Sequence, residues 1–230
     1  MTPIRLNKFL AERLGLSRRE ADDLIATGAV TIDGHPATLG SRVDKSSKVC
    51  YNKKIIPFQT DYLYVMLNKP IGYVCSRRAQ GSAPTLYELL PKKYHHLKTV
   101  GRLDKDSSGL ILLTNDGDFA FQMTHPKFRK TKVYEVELNK PLAPLHQQMI
   151  GSCGVMLDDG PSQFKVIKTE DMVSHPAKPQ YTVILHEGRN RQIRRTFAAL
   201  GYRVTRLHRT QFGPYELGDL SSGSYRVIKI

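Results

Sequence analysis

Cysteine is scarce in this chain. Cys50, Cys75 and Cys153 are the three present, far apart in the sequence, so no disulfide framework is expected and a reducing compartment is. No C-x-x-C or H-x-x-x-H spacing occurs, which leaves a metal site without its usual sequence signature. No apolar run approaches the roughly 18 residues that a membrane span needs. The opening Met1-Thr2-Pro3-Ile4-Arg5-Leu6 lacks the apolar block of a secretory signal, so a cytoplasmic protein is expected. Neither a P-loop nor G-x-G-x-x-G is found, so phosphate-cradling cofactor chemistry has no motif here. Internal repeats and low-complexity tracts are missing too. Acidic residues are the minority: 21 Asp and Glu stand against 35 Lys and Arg, a net charge of +14.

A surface this basic attracts polyanions and speeds encounter with them. Nucleic acid is the first class of partner to expect, an anionic membrane surface the second; mere solubility is the bland alternative. The hydrophobic fraction of 40% suffices for a real core. The length suits two domains of unequal size.

The first 58 or so residues read as a small module. Leu6, Phe9, Leu10 and Leu14 recur at helical spacing. Ser17-Arg18-Arg19-Glu20 reads as a capping box that opens a second helix, burying Ala21, Leu24 and Ile25 and stopping at Gly28. Val30 and Ile32 alternate with Thr31, and Asp33-Gly34 supplies a hairpin turn. Arg18 and Arg19 sit in a helical first turn, where the macrodipole disfavours cations. They are either phosphate contacts or two solvated side chains. The polar stretch 45–60 holds Lys53-Lys54 and Pro57, and the domain boundary is expected near Gln59, dividing the chain into 1–59 and 60–230.

Past that point, Val133–Leu138 and Tyr181–Leu185 read as strands, and Leu110–Leu113 as a short buried one. Helices are expected near Thr85–Leu90, Phe119–His125, Leu145–Ile150 and Gln192–Leu200. Strands outnumber helices without a βαβ rhythm, which indicates α+β. Val133 and Val136 cannot share a face of an ideal strand, so the alternation must slip near Tyr134.

Three segments could carry chemistry. Gly101-Arg102-Leu103-Asp104-Lys105-Asp106-Ser107-Ser108-Gly109 is a polar, glycine-bracketed loop running into a buried strand, a good platform for a precisely held side chain. Arg102 and Lys105 would favour ionised Asp104. The bland alternatives are an Arg102–Asp104 ion pair and an Asx-turn at Asp106. Lys132 to Val136 surrounds Tyr134, which either packs across the sheet or offers an aromatic face. Residues 189–209 hold seven arginines and no acid. Ile193, Phe197 and Leu200 share a helical face there, with Arg191 and Arg195 pointing away and Arg194 at the edge. A partly buried Arg194 needs a carboxylate.

These residues resemble two known families. Arg5-Leu6-Asn7-Lys8-Phe9-Leu10, Ser17-Arg18-Arg19-Glu20-Ala21, Ile25, Gly28, Val30 and Asp33-Gly34 are similar to an S4 RNA-binding domain. Gly101-Arg102-Leu103-Asp104, Ser107, Gly109-Leu110 and Leu113-Thr114-Asn115-Asp116-Gly117 resemble the central motif of pseudouridine synthases of the RsuA family. So does the block Leu67-Asn68-Lys69-Pro70-Ile71-Gly72-Tyr73-Val74.

The resemblance implies a small α/β S4-like domain, then a larger domain with a mixed, mainly antiparallel sheet flanked by helices. It implies that a uridine in ribosomal RNA becomes pseudouridine without a cofactor. Asp104 would be the catalytic carboxylate, Tyr134 would stack on the extruded base, and Arg194 would be the partner of Asp104. Leu207 would pack beside the base, though a plain core leucine fits as well. Arg102, Arg189, Arg191, Arg18, Arg19, Lys8 and Lys69 are the expected RNA contacts. Arg191 stands where many members of the family have His, a change expected to alter RNA contacts and leave the catalytic pair alone. His208 is expected to be structural or an RNA contact. The partner would be ribosomal RNA or a pre-ribosomal particle, with no membrane, and the working form a monomer. The block Asp158-Asp159-Gly160-Pro161 leans toward large-subunit enzymes and the short C-terminus toward small-subunit ones.

Two other functions compete with isomerisation. One is a non-catalytic RNA-binding ribosome-assembly protein. The other is a retaining-type glycosidase acting on nucleic acid, which would need a second carboxylate.

Overall fold

The computed structural model describes residues 2–58, 61–77, 80–168 and 179–230. The chain divides into two compact units, Met1–Leu63 with Thr114–Gly117, and Tyr64–Leu113 with Asp118–Ile230. The boundary expected near Gln59 lies outside the described residues.

In the N-terminal unit the helical spacing of Leu6, Phe9 and Leu10 produces the helix Leu6–Arg13, with all three fully buried. Ser17 caps the next helix, Arg18–Ala26, and the capping box is complete. The Ser17 hydroxyl accepts from the Glu20 N–H at 3.1 Å, and the Glu20 carboxylate accepts from the Ser17 N–H at 2.6 Å. Asn7 of the first helix donates to both carboxylate oxygens of Asp22 on the second, at 2.9 and 3.1 Å. The hairpin forms as expected: Val30–Ile32 pairs antiparallel with His35–Pro36. Asp33 and Gly34 both take positive φ, 52° and 88°, the requirement of the tight turn whose twist suits a hairpin. Val30, Val43 and Val49 close a thin core against the two helices. Arg18 and Arg19 are exposed, and Lys8 lies 4.0 Å from Glu12 one helical turn on.

The larger unit is built on a mixed, mainly antiparallel sheet of nine strands among the described residues. Along its main path the order is Lys165–Lys168, Gln180–Leu185, Lys132–Leu138, Val204–Phe212, Ser108–Thr114, Tyr64–Lys69 and Tyr225–Ile228. Val204–Phe212 is the pivot. It pairs antiparallel with Lys132–Leu138 on one side and parallel with Ser108–Thr114 on the other. Leu110, Ile111, Leu112 and Leu113 are all at most 1% exposed, as a continuous apolar run buried on both faces should be.

The slip expected near Tyr134 does not occur within Lys132–Leu138: Tyr134, Val136 and Leu138 are buried, Glu135 is exposed, and the register with Gln180–Leu185 runs unbroken. The register with Val204–Phe212 shifts between Val133 and Tyr134. Val133 faces Gln211 and Tyr134 faces Arg209, so Thr210 is the extra residue.

The helices expected near Phe119, Leu145 and Gln192 form as Gly117–Thr124, Pro144–Ser152 and Gln192–Ala199. Near Thr85 only a short 3-10 turn forms, Leu86–Leu89. Pro91 explains the difference: it pushes Leu90 into extended backbone (φ −115°, ψ 145°) and ends the turn.

Candidate functional site

The loop that carries Asp104 is held from several sides. Gly101 and Gly109 bracket it with positive φ, 70° and 105°. Gly109 must be glycine for a second reason. A Cβ there would lie 2.2 Å from the Arg209 carbonyl oxygen across the parallel pairing. The Ser107 N–H donates to the Asp104 carbonyl at 3.1 Å and closes the turn. Leu103 is buried, and its N–H points at the Cys75 sulfur, 3.3 Å away. The Gly72 N–H donates to the Lys105 carbonyl at 2.8 Å. Asp104 itself presents a carboxylate that is 35% exposed, in the wall of a cleft.

Lys69 explains why the 70–73 turn can act as a prop. It is fully buried, and its ammonium donates to the Pro70 and Tyr73 carbonyls, both at 2.9 Å. Burial lowers its pKa, opposed by the charges of Cys75, Asp104 and Asp106. The RNA-phosphate contact expected of Lys69 is therefore corrected. A fully buried ammonium already satisfied by carbonyls supports the loop from within and does not reach a surface ligand.

The cation partnership also differs from expectation. Arg194 is partly buried and does face a carboxylate, but that carboxylate is Asp106. Its Nε lies 3.3 Å from Asp106 Oδ2, at an angle that makes an ion pair rather than a hydrogen bond. Its other nitrogens donate to the Asp106 carbonyl at 2.8 Å and the Val204 carbonyl at 3.0 Å. Burial lowers the Arg194 pKa, while the charges of Asp106 and Asp104 raise it.

The cation beside Asp104 is Arg191, whose Nη1 is 3.8 Å from Asp104 Oδ2. Arg191 grips Asp106 with both ends of its fork, at 3.0 and 2.8 Å. That hydrogen bond, more than the Arg194 charge, holds the Asp106 pKa below its usual value against the opposing effect of burial. Among the described residues no ion pair joins Arg194 to Asp104. Arg194 is thus one position removed from the catalytic candidate, and the Arg191 position is not remote from it. Periodicity placed Arg191 on the outward helical face, but Arg191 precedes the helix with left-handed backbone (φ 45°), which swings its side chain toward the loop. Asp106, read as an Asx-turn candidate, is the hub of this network.

Arg189 lies at the cleft and is engaged by protein there. It donates to the Asp159 carboxylate at 2.9 Å and to the Asp159, Gly160 and Pro161 carbonyls at 2.9–3.1 Å. Arg195 pairs with Asp158 and, at 2.7 Å, with Asp159. Two arginines of the basic stretch thus clamp the 155–162 hairpin.

The cleft has a volume of about 450 Å³. It brings together Asp104, Arg102, Arg191, Tyr134 and Leu207, drawn from segments a hundred residues apart. Tyr134 and Leu207 are 8% and 6% exposed and offer an aromatic face and an aliphatic one. Two cations not foreseen as site residues also line it, Arg209 and Lys132. Arg209 is 2% exposed. The strand alternation held its signal, since Arg209 is two residues from Leu207 and shares its face. Lys132 is likewise two residues before Tyr134. His208, on the opposite face of the strand, bonds Ser108 across the sheet at 2.8 Å.

Burial, and then repulsion by Arg209, push the Lys132 pKa down to about 8, with Glu187 opposing. The unfolded chain holds this proton up to the usual lysine range. Between about 8 and that range it therefore binds more protons than the folded protein, and stability should rise with pH across this window. Lys132→Met should flatten that rise; thermal melts of both proteins from neutral pH upward check it.

Sequence comparison matches residues 63–199 to the RNA pseudouridylate synthase family and residues 4–49 to the S4 domain. The chain is 37% identical to ribosomal small subunit pseudouridine synthase A of Pasteurella multocida (strain Pm70), over 98% of this chain and 96% of that one. It is 35% identical to ribosomal large subunit pseudouridine synthase B of Pseudomonas aeruginosa, over 97% of this chain and 59% of that one. A crystal structure of a pseudouridylate synthase superimposes with a TM-score of 0.69 at 32% identity, covering 98% of this chain and 96% of that one.

Proposed function

The chain belongs to the RNA pseudouridylate synthase family, and from that premise we propose that it isomerises one uridine of ribosomal RNA with Asp104 as the catalytic carboxylate. One observation carries this reading. The Asp104 carboxylate stands on a braced loop, at the wall of a cleft whose other walls are the ring of Tyr134 and the side chain of Leu207. A planar base turned out of folded RNA loses its stacked neighbours, and such walls replace them.

Pseudouridine is an isomer of uridine. The bond from the sugar moves from N1 to C5 of the same base, with no net gain or loss of atoms or electrons, so the stoichiometry calls for no cofactor. Asp104 begins the reaction, by attack at the sugar C1′, by attack at C6, or by removal of the C2′ proton. Arg191 and Arg194, locked on Asp106, keep two cations beside Asp104 without closing a tight ion pair on it. Its carboxylate stays available to the substrate as a result. The base then turns, rejoins through C5, and gives up the C5 proton.

Full-length agreement with small-subunit enzymes favours a uridine in small-subunit ribosomal RNA. The S4-like module, with exposed Arg18 and Arg19, would supply further RNA contact, and division near residue 59 would set it apart as a domain. Incubating unmodified ribosomal RNA with the protein and mapping pseudouridines tests the proposal. One new pseudouridine supports it. Unchanged RNA indicates a binding protein, and free uracil or abasic sites indicate a glycosidase.

Phosphate contacts release counterions, so RNA affinity should fall about 10³-fold between roughly 50 and 200 mM salt. Filter binding across that range checks it; a flat response would deny the cations their phosphate role.

A further inference from the structure

Arg209 is a buried cation without an anion. At 2% exposure its Nε donates to the Leu110 carbonyl at 2.8 Å. Its Nη1 is 3.5 Å from the Tyr134 hydroxyl, a long contact. Its Nη2 has no hydrogen-bond partner. Among the described residues no carboxylate lies within ion-pair distance of it. The guanidinium lies over the Phe212 ring at 4.8 Å, which supplies a π-face but no negative charge. Lys132 shares the cleft and donates to the Glu187 carbonyl at 3.1 Å.

Buried charge is costly unless it is paired, and like charges add to that cost. Backbone geometry nonetheless enforces the arrangement. The bulge at Thr210 sets Arg209 opposite Tyr134, and Gly109 lets the two parallel strands close tightly on the Arg209 backbone. Arrangements of this kind are found where a charge develops during reaction and needs a fixed counter-charge.

We propose that Arg209, with Lys132 beside it, stabilises the uracil anion that forms when the glycosidic bond breaks. This rests on the isomerase reading, by attack at C1′ or removal of the C2′ proton. Heterolysis of the C1′–N1 bond leaves the electron pair on N1, whence it spreads to O2 and O4. The sugar is then held by a new C1′–O bond to Asp104, or becomes an unsaturated sugar after Asp104 removes the C2′ proton. In the first case rejoining uses the pair of the anion to form C1′–C5, and the pair of the C1′–O bond returns to Asp104. In the second, C5 adds to C1′ and the proton on Asp104 returns to C2′. Afterwards C5 gives up its proton and N1 gains one. The half-turn that exchanges N1 with C5, about the N3–C6 axis, also exchanges O2 with O4. One stationary cation therefore meets a carbonyl oxygen before and after the turn. The exposed Arg102 remains for phosphates at the rim.

The test compares the protein with Arg209→Met and Arg209→Lys in single-turnover cleavage, on RNA carrying uridine or 5-fluorouridine at the target. Fluorine withdraws charge and makes the base a better leaving group. Arg209→Met should lose about 10²-fold on uridine, and only about tenfold on 5-fluorouridine, which needs less help. Arg209→Lys should lose less on both and keep the same order. Thermal melts and RNA affinity should stay near those of the unaltered protein. Equal losses on the two RNAs would show a merely structural role and overturn the proposal, as would no loss on either. If Arg209→Met does not fold, the uridine-to-fluorouridine difference in Arg209→Lys decides in the same way. An unaltered protein that forms no product from either RNA overturns the isomerase reading itself, a result distinct from these.

Discussion

Replacing Asp104 with Asn should lower the single-turnover rate of pseudouridine formation by about 10⁴-fold, with RNA affinity and melting temperature retained. Asn keeps the shape of the side chain but neither attacks carbon nor takes up a proton. The fold should not notice the change, because the carboxylate is partly exposed and its nearest cation, Arg191, is 3.8 Å away. The neighbouring Asp106→Asn gives the necessary contrast. It loosens the bidentate grip of Arg191 and leaves the partly buried Arg194 without its carboxylate. A lower melting temperature should accompany any loss of rate there. If Asp104→Asn retains activity while Asp106→Asn is inactive and stably folded, the catalytic assignment belongs to Asp106 and the present one is wrong.

Gly109→Ala should be the most damaging conservative change to the fold. The residue has φ of 105°, which an L side chain rarely adopts, and its Cβ would lie 2.2 Å from one backbone atom of Arg209 and 2.6 Å from another. Those atoms belong to the pivot of the sheet and cannot swing away as a flexible side chain would. A destabilisation of about 3 kcal/mol or more is expected, which at this size lowers the melting temperature by roughly 6–12 °C. The Asp104 loop ends at this glycine, so the surviving folded protein should also be slow. Calorimetry with the pseudouridine assay reads both effects. A melting temperature within a degree or so of the unaltered protein would show that the strands separate at little cost.

Much of the N-terminal unit was legible from local rules. The capping box at Ser17 and Glu20 and the Asp33-Gly34 turn depend on residues within a few positions of each other, and both form as the sequence indicates. The irregularity beside Tyr134 was not legible there: Tyr134, Val136 and Leu138 alternate evenly into the core, and Val133 lies half-buried on the other face. Thr210 lies on the partner strand, and the sequence around Tyr134 says nothing of it. The helix near Thr85 was overextended because Pro91 closes it sooner than the apolar spacing suggests.

The loop around Asp104 was read from one uninterrupted stretch of sequence, whereas Tyr134 and Leu207, from separate strands, were joined to it only by the family resemblance. Pairing is different in kind. Whether Arg194 faces Asp104 or Asp106, whether Arg191 turns inward, and whether Lys69 is buried all depend on distances across elements separated by tens of residues. Periodicity describes one helix or strand at a time. It treats Arg191 as an ordinary helical position, whereas its left-handed backbone reverses the direction of the side chain. Local patterning therefore determined which chemical groups this protein carries and on which kinds of element. Tertiary packing alone decided which charges meet. Coulomb energy depends on separation in space, and in a folded chain that separation bears no fixed relation to distance along the sequence.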